Sequence, residues 1–410
     1  MDVEGWGRRA VVIGGGIGGL AAAVGLLRSG WHVVVVERAP ALEPVGTGLM
    51  LWPNGVAALQ ALGLDDVRRT GRPLAGSGLR QASGRWLSRT DAGRLAQRHG
   101  QVLLAVARPD LVGLLAGALP DGVLRLGTTV TDVRPGDEHS PAEVHWGEDT
   151  LQAELVVAAD GMGSTVRRRL WPEHPAARYR GYTTWRALVD SAGLELGDNA
   201  AETWGRGDRF GVVPLTDGRT YVYATAPADA GSRAAGPAAE LADLRRRFAG
   251  WHAPIPGLLE RTRPEDVVRH DVLSLEPPVR RPAQGRVVLL GDAAHGMEPN
   301  LGQGACLALE DAVTLTALLG AGPVTPALAL YTGARVARVT RLSRQARLLG
   351  LVTRSGSRTL AALRDAAVLC TPDAMSLRGF DDAVGWLPPT LALSTLQPDG
   401  GPDRPDPEIP

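Results

Sequence analysis

Lysine is absent from this 410-residue sequence, so all 44 of its basic side chains are arginines. Without a lysine amine the chain cannot form a Schiff base with a substrate, and it has no lysine to bind phosphate in a P-loop. Cysteine is nearly absent as well, since Cys306 and Cys370 are the only two. Because neither belongs to a metal-binding or redox motif, they predict two buried thiols in a reducing compartment and no metal site.

Long apolar runs and a net charge are also missing. No uncharged apolar stretch reaches the length of about 18 residues that a membrane span needs, and the first residues lack the charged-then-apolar pattern of a secretion signal. The 44 acidic side chains balance the 44 basic ones, so no overall field attracts nucleic acid or an anionic membrane. We therefore expect a cytoplasmic protein with no nucleic-acid or membrane partner. Both a monomer and a homodimer are compatible with this composition.

The N-terminal segment predicts a strand, a glycine turn, a helix and a second strand. Residues 9–13 are short and β-branched, and residues 20–27 repeat small and apolar side chains at helical spacing. Residues 33–36 form the continuous apolar run of a strand that is buried on both faces of a parallel sheet. This order is that of the first half of a dinucleotide-binding fold.

The glycine turn carries the chemistry of this segment. Gly14, Gly16 and Gly19 have the spacing that lets backbone N–H groups approach a pyrophosphate at a helix N-terminus. Glu37 ends the second strand, where its carboxylate would accept the ribose hydroxyls of the adenosine half. The turn, the helix and the acid together predict a bound dinucleotide.

Two later strand ends carry acidic residues. A buried strand over 155–159 is followed by Asp160, and another over 286–290 is followed by Gly291 and Asp292. An acid at the carboxyl end of a strand can hold a ribityl or ribose hydroxyl.

A glycine-rich segment with Pro299, Gly302 and Gly304 then leads into a helix. The positive end of that helix would face a group that gains negative charge, such as the N1–C2=O edge of a reduced flavin.

The middle of the chain, over 177–267, has the short aromatic strands and turns of an antiparallel sheet. A hairpin joins strands on either side of Gly218. With a two-residue loop, Arg209 and Tyr221 lie on opposite faces of the sheet. With a three-residue loop, closed by Gly218 in the left-handed conformation, Arg209, Tyr221 and Tyr223 share one face. The position of Gly218 favours the second arrangement.

These motifs resemble the three fingerprints of the class A FAD-dependent monooxygenases, which share the para-hydroxybenzoate hydroxylase fold. Further matches are Gly48, Pro53 with Asn54, and a helix start at Arg108, so that the resemblance covers most of residues 8–345. The middle segments resemble more loosely the short urate-hydroxylase-like and salicylate-hydroxylase-like branch.

The resemblance implies an α/β fold with a split Rossmann-type FAD-binding domain, an inserted antiparallel-sheet substrate domain and C-terminal helices. The expected ranges are 1–72, 98–176 and 268–325 for the FAD-binding domain, 73–97 and 177–267 for the substrate-binding domain, 326–395 for the helical region and 396–410 for a disordered tail.

The resemblance also implies cofactors and site residues. FAD would be bound, NADH or NADPH would bind transiently as the electron donor, and oxygen would be transferred through a flavin C4a-hydroperoxide to a small electron-rich aromatic or heteroaromatic substrate. The expected cofactor-binding residues are Gly14, Gly16, Gly19, Glu37, Arg38, Gly48, Arg108, Asp160, Gly291, Asp292, Pro299, Gly302 and Gly304. Arg209 and Tyr221 would position the substrate.

Plainer interpretations of several residues stay open at this point. Arg209 could be a solvated strand residue, and Tyr221 could be ordinary sheet packing. Trp185 and Trp204 could fill the core. His295 belongs to the flavin-loop motif, and we assign it to that loop rather than to acid–base catalysis.

Three rival functions share this fold. A flavin halogenase needs a lysine and a Trp-x-Trp-x-Ile-Pro box, and the chain has neither. A non-enzymatic prenyl-binding regulator of small GTPases does not keep a complete flavin site. A flavin-dependent oxidase or epoxidase remains as the alternative that the sequence does not separate.

Overall fold

The computed structural model describes residues 8–42, 46–320, 322–372, 379 and 381–389. Its strands are β1 (Arg9–Ile13), β2 (His32–Val36), β3 (Gly48–Leu51), β4 (Arg72–Pro73), β5 (Gly76–Gln81), β6 (Trp86–Asp91), β7 (Leu104–Ala107), β8 (Leu124–Arg125), β9 (Asp132–Arg134), β10 (Ala142–Trp146), β11 (Asp149–Ala153), β12 (Leu155–Ala158), β13 (Arg178–Asp190), β14 (Asn199–Trp204), β15 (Arg209–Pro214), β16 (Arg219–Pro227), β17 (Val268–Ser274), β18 (Ala283–Gln284) and β19 (Val287–Leu289). Its helices are α1 (Ile17–Arg28), α2 (Pro53–Ala61), α3 (Val67–Thr70), α4 (Ala92–His99), α5 (Arg108–Gly117), α6 (Thr165–Leu170), α7 (Pro237–Phe248), α8 (Ile255–Arg261), α9 (Asp292–His295), α10 (Gly304–Leu319), α11 (Val324–Thr353) and α12 (Arg358–Leu369). The segment 396–410, for which the sequence predicts a disordered tail, lies outside the described residues.

Six strands form the first sheet, in the order β18, β19, β12, β1, β2 and β8. β1 pairs in parallel with β12 and with β2, and β12 pairs in parallel with β19. Both faces are apolar because both are covered. Val12 and Val35 pack into the cluster that α1 and α10 complete, whereas Val11 and Val36 pack against the small sheet of β9, β10 and β11. Parallel pairing brings the carboxyl ends of β1, β2, β12 and β19 to one edge of the sheet.

Seven strands form the second large sheet, in the order β17, β13, β16, β15, β14, β5 and β6. Its neighbouring strands are antiparallel except for β14 and β5, which are parallel. One face packs on α7 and α8 through a core that includes Trp185, Phe210 and Phe248. The other face turns toward the first sheet and its helices, because Val213 and Tyr221 pack in the same cluster as α1 and α10. This shared cluster places the second face beside the glycine-rich edge.

The hairpin between β15 and β16 has the predicted three-residue register. Val213 pairs with Tyr221, the Leu215 N–H donates to the Arg219 carbonyl at 2.9 Å, and Gly218 is left-handed at φ +78°. Because side chains alternate along a strand, Arg209, Tyr221 and Tyr223 lie on one face. The predicted arrangement of this hairpin is confirmed.

The expectation of two buried thiols is wrong for one of them. Cys306 is buried inside α10, but Cys370 is exposed at the end of α12. The reason is that α12 buries only Ala361 and Arg364, so its last turn lies at the surface. None of the described helices is long and apolar enough to cross a membrane.

Candidate functional site

The glycine turn after β1 combines two tightly packed glycines with one open position. A Cβ on Gly14, which has φ +109°, would lie 2.4 Å from the Ala159 carbonyl oxygen, and a Cβ on Gly19 would lie 2.0 Å from the Gly14 carbonyl oxygen. A Cβ on Gly16, the residue before α1, would meet nothing within 4 Å. Gly14 and Gly19 are therefore demanded by the packing of the chain itself. Gly16 keeps open the space in front of the helix N-terminus.

Glu37 follows β2 and is held beside this turn. Its Oε2 accepts a hydrogen bond from the Gly15 N–H at 2.6 Å, and its Oε1 accepts one from the Ala39 N–H at 2.9 Å. The neighbouring Arg38 is exposed. The Glu37 carboxylate is thus fixed at the sheet edge and keeps lone pairs for a ligand hydroxyl.

Asp160 follows β12 at the same edge and serves two purposes with its two oxygens. Its Oδ2 accepts from the backbone N–H groups of Thr165, at 2.7 Å, and Val166, at 3.2 Å, at the start of α6. Its Oδ1 is buried and has no hydrogen-bond partner in the described part of the chain. This buried acceptor suits a hydrogen bond from a ligand hydroxyl.

The turn after β19 is fixed by a buried network of charged residues centred on Asp311 of α10. The Gly291 N–H donates to Asp311 Oδ2 at 3.0 Å, the His295 Nε2 lies 2.6 Å from the same oxygen, and Arg335 Nε donates to Asp311 Oδ1 at 2.6 Å. Burial alone would raise the pKa of Asp311, but the charges of His295 and Arg335 outweigh it and lower the pKa to about 2. His295 therefore stabilises this turn through its contact with Asp311. Asp292, the first residue of α9, is exposed.

The start of α10 presents an unsatisfied donor. Gly302 is left-handed at φ +62°, and a Cβ on Gly304 would meet nothing within 4 Å. Asn54 Nδ2 donates to Gln303 Oε1 at 2.8 Å and fixes this side chain. Gln303 is 1% exposed, and its Nε2 has no acceptor among the described residues. The helix N-terminus and this amide together favour an acceptor or a negative charge in front of α10.

Gly48 and Arg108 join this edge to the second sheet. β3 pairs with β7, so that the Arg108 N–H donates to the Thr47 carbonyl at 2.8 Å. A Cβ on Gly48 would lie 2.6 Å from the Cβ of Tyr221, so only glycine allows this approach. The Arg108 side chain is accessible to solvent, yet desolvation lowers its pKa, with Asp292 opposing the shift and Arg186 adding to it.

Arg209 is not a solvated strand residue. It is 3% exposed, its Nε donates to Thr225 Oγ1 at 3.0 Å, and its Nη2 donates to Asn300 Oδ1 at 2.7 Å. Its Nη1 lies 3.5 Å from Glu202 Oε1. Arg209 therefore ties the second sheet to the loop that precedes α10.

The aromatic side chains divide between the two faces of the sheet. Trp185 fills the core under α7 and donates to Glu240 Oε2 at 2.7 Å. Tyr223 and Trp204 lie on the opposite face, and both donate to Glu202. Tyr221 is 8% exposed, its ring lies 5.7 Å from that of Tyr223, and burial raises its pKa against the opposing charges of Arg186 and Arg108.

Four residues on or beside this face were not singled out from the sequence. Arg186 and Glu202 lie on strands that pair with strands distant in the sequence. Tyr182 donates a hydrogen bond of 3.2 Å to Asn300, which lies in a segment far from it in the chain. Arg186 could have been found by extending the alternation of the hairpin to β13. Asn300 stands inside the Pro299 motif but has no pattern of its own.

Comparison with known proteins agrees with this geometry. The family model described as "FAD binding domain" matches residues 8–342. The aurachin C monooxygenase/isomerase of Stigmatella aurantiaca is 40% identical over 334 residues, which are 81% of this chain and 86% of that protein. The FAD-dependent urate hydroxylase of Klebsiella pneumoniae is 35% identical over 345 residues, which are 83% of this chain and 88% of that protein.

A solved structure extends the likeness to the fold. The crystal structure of Klebsiella pneumoniae HpxO complexed with FAD and uric acid has a TM-score of 0.85 and 31% identity, and the match covers 92% of this chain and 96% of that chain. The predicted fold class and the predicted resemblance are confirmed. The chain therefore belongs to the family of class A FAD-dependent monooxygenases, with FAD as its cofactor.

Proposed function

We propose that this chain is an NAD(P)H-consuming, FAD-dependent monooxygenase that hydroxylates a small electron-rich aromatic or heteroaromatic compound. The observation that carries the proposal is the convergence at one sheet edge. Parallel pairing of β1, β2, β12 and β19 gathers the open glycine turn, Glu37, Asp160 and Asp292 at their carboxyl ends. Ligands of open parallel sheets bind at this edge.

The residues of the edge fit FAD in three parts. The pyrophosphate would enter the open space at Gly16, and Glu37 would hold the adenosine ribose. The free Oδ1 of Asp160 and the accessible Asp292 and Arg108 would hold the middle of the cofactor.

The ring would lie where the N-terminus of α10 points. The unsatisfied Nε2 of Gln303 would donate to it, and Pro299, Gly302 and Gly304 shape the loop that would border it. Gly14, Gly19, Gly48 and Gly291 would act indirectly, by permitting the close backbone contacts that form the cradle. Arg38 would lie at its exposed rim.

When bound, FAD would supply the redox chemistry: acceptance of a hydride from NADH or NADPH and activation of molecular oxygen for transfer to the substrate. The protein supplies orientation and a water-poor space between the second sheet and α10. We propose that Tyr221 contacts the substrate with its ring, since Gly48 brings it against the first domain. Arg209 would fix the separation of the sheet from α10 through Asn300 and would orient the substrate from that position.

A division of labour between two domains follows from this arrangement. We propose the sequence-derived ranges 1–72, 98–176 and 268–325 for cofactor binding, and 73–97 and 177–267 for substrate binding. β5 and β6 support the assignment of 73–97, because they extend the second sheet beyond β14.

The names of the relatives, which include a urate hydroxylase and an aurachin C monooxygenase, support a heteroaromatic substrate.

The proposal is tested with the FAD-loaded protein and a panel of phenols, hydroxy acids, purines and quinolines. We expect at least one compound to stimulate NADH or NADPH oxidation. Under ¹⁸O-labelled oxygen, one labelled atom should enter the product. Stoichiometric hydrogen peroxide with an unlabelled product would show an oxidase instead, and a labelled oxirane would show an epoxidase.

A further inference from the structure

Arg186 lies on the sheet face that we propose for the substrate. It belongs to β13, and the register pairs it with Tyr223 on β16, while Leu188 two residues later pairs with Tyr221. Because side chains alternate along a strand, Arg186 shares its face with Tyr221, Tyr223 and Arg209. This face is the one that approaches Gly48 and Arg108 of the first domain.

Arg186 differs from Arg209 in having no partner of its own. The nitrogens of Arg209 meet Thr225, Asn300 and Glu202, so this guanidinium is already neutralised and hydrogen-bonded. Arg186 is half-buried, and within the described ranges it makes no side-chain hydrogen bond or ion pair. Glu202, a carboxylate on the same face, accepts hydrogen bonds from Tyr223 and Trp204 and lies beside Arg209. Among the described residues of the sheet face, no acid is ion-paired or hydrogen-bonded to Arg186.

Arg108, His270 and Tyr221 lie close enough to Arg186 for its charge to lower their pKa values. Burial lowers the pKa of Arg108; the charge of Asp292, on the first domain, opposes this shift, and the charge of Arg186 adds to it. Burial also lowers the pKa of His270, which lies on the same face of β17, and Arg186 again adds to the shift. His270 is therefore neutral near pH 7, and Tyr221 keeps its phenolic proton because burial raises its pKa.

We propose that Arg186 binds an anionic group on the substrate, and that the enzyme selects aromatic compounds that carry a negative charge such as a carboxylate on the ring. This assignment rests on the proposed function. A guanidinium forms paired hydrogen bonds with a carboxylate in a geometry that a neutral group does not match. A neutral substrate would cover Arg186 and leave a desolvated charge without a counter-charge, which is unfavourable.

The test compares matched ligands on the FAD-loaded protein. Salicylate and 4-hydroxyquinoline-2-carboxylate are each paired with their neutral carboxamides, and binding is followed by the change in the flavin absorption spectrum and by the shift in melting temperature. We expect the wild type to bind at least one acid about tenfold or more tightly than its amide. Arg186→Gln should raise the Kd of that acid about 10- to 100-fold and leave the Kd of the amide unchanged. Arg186→Lys should restore part of the affinity for the acid.

Arg178→Gln is the matched control, because Arg178 lies on the same strand but is exposed and has no side-chain partner in the described chain. It should bind every ligand as the wild type does. Equal binding of acid and amide, or no binding of either acid, would overturn the assignment. The assignment would also be overturned if Arg186→Gln bound the acid normally but lost FAD or had a higher KM for NAD(P)H. In that case the anion that Arg186 binds would be a cofactor phosphate.

The titrations separate this assignment from the proposed function. They measure binding without turnover, so the Arg186 result does not depend on oxygen transfer. If no labelled oxygen reaches any product but Arg186→Gln still loses the acid, the monooxygenase proposal fails and the anion site remains.

Discussion

Two glycines of one turn should respond to substitution in opposite ways. Gly16→Val should give a folded protein that does not retain FAD. Gly19→Ala should give a protein whose stability falls although the added group is smaller. The difference follows from where each new Cβ would point, since the position at Gly16 is open and the position at Gly19 lies 2.0 Å from the Gly14 carbonyl oxygen.

The magnitudes come from the backbone and from that contact. Gly16 has φ −79° and ψ 178°, an extended conformation that valine adopts readily, so the free energy of unfolding of the FAD-free protein should change by less than about 1 kcal/mol. At Gly19, alanine gains about 1 kcal/mol of helix propensity. Overpacking typically costs about 1–3 kcal/mol, and here the clash is with backbone that cannot rotate away. We therefore place the cost at or above the upper end of that range, about 3 kcal/mol or more, which leaves a net loss of about 2 kcal/mol or more at Gly19.

The loss of FAD at Gly16 follows from the volume of the new side chain. The valine methyl groups would occupy the space in front of α1 that a pyrophosphate would need. Overpacking of this kind corresponds to FAD binding that is at least about 10- to 100-fold weaker.

Both effects are measured on the same preparations. Flavin retention is the ratio of visible to ultraviolet absorbance after gel filtration, and stability is the denaturant midpoint of the FAD-free proteins, because bound FAD would itself add stability. Full flavin retention by Gly16→Val would refute the assignment of the turn. A Gly19→Ala midpoint equal to that of the wild type would refute the packing argument.

Three further results are expected. Glu37→Ala should weaken FAD retention, because the carboxylate that fixes the turn through Gly15 is lost; equilibrium titration of the FAD-free protein checks this, and an unchanged Kd contradicts it. Arg209→Ala should lower kcat/KM by about 10- to 100-fold at normal flavin content. It should also lower the melting temperature, because Asn300 and Glu202 lose their partner. Wild-type kinetics in this variant would contradict a role of Arg209 toward the substrate. The pKa of Asp311 is about 2 in the folded protein, below its value in the unfolded chain, so its contribution of about 2 kcal/mol to the free energy of unfolding is present above about pH 4 and is lost as the pH falls toward 2. Urea midpoints measured across this pH range should therefore change less with pH for Asp311→Asn than for the wild type. Parallel curves for the two proteins would contradict the prediction.

Interactions that are local along the chain could be predicted from the sequence alone. The turn from Gly14 to Gly19 and the acid at Glu37 lie within one strand–helix–strand unit, so composition and spacing were enough to identify a dinucleotide site. The hairpin was predictable for the same reason, since the position of Gly218 determines the register of β15 and β16 and hence the shared face of Arg209 and Tyr221.

Only the tertiary structure decided what those side chains contact. Arg209 is paired with Asn300, which is 91 residues away in the sequence, and no local pattern specifies that meeting. The isolation of Arg186 is likewise a property of three strands and a neighbouring domain, because a missing partner leaves no trace in the sequence around it. The exposure of Cys370 depended on how little of α12 is covered. Spacing therefore determined the cofactor-binding turn, whereas the assembly of distant segments decided that Arg209 is neutralised and that Arg186, on the same sheet face, has no partner among the described residues.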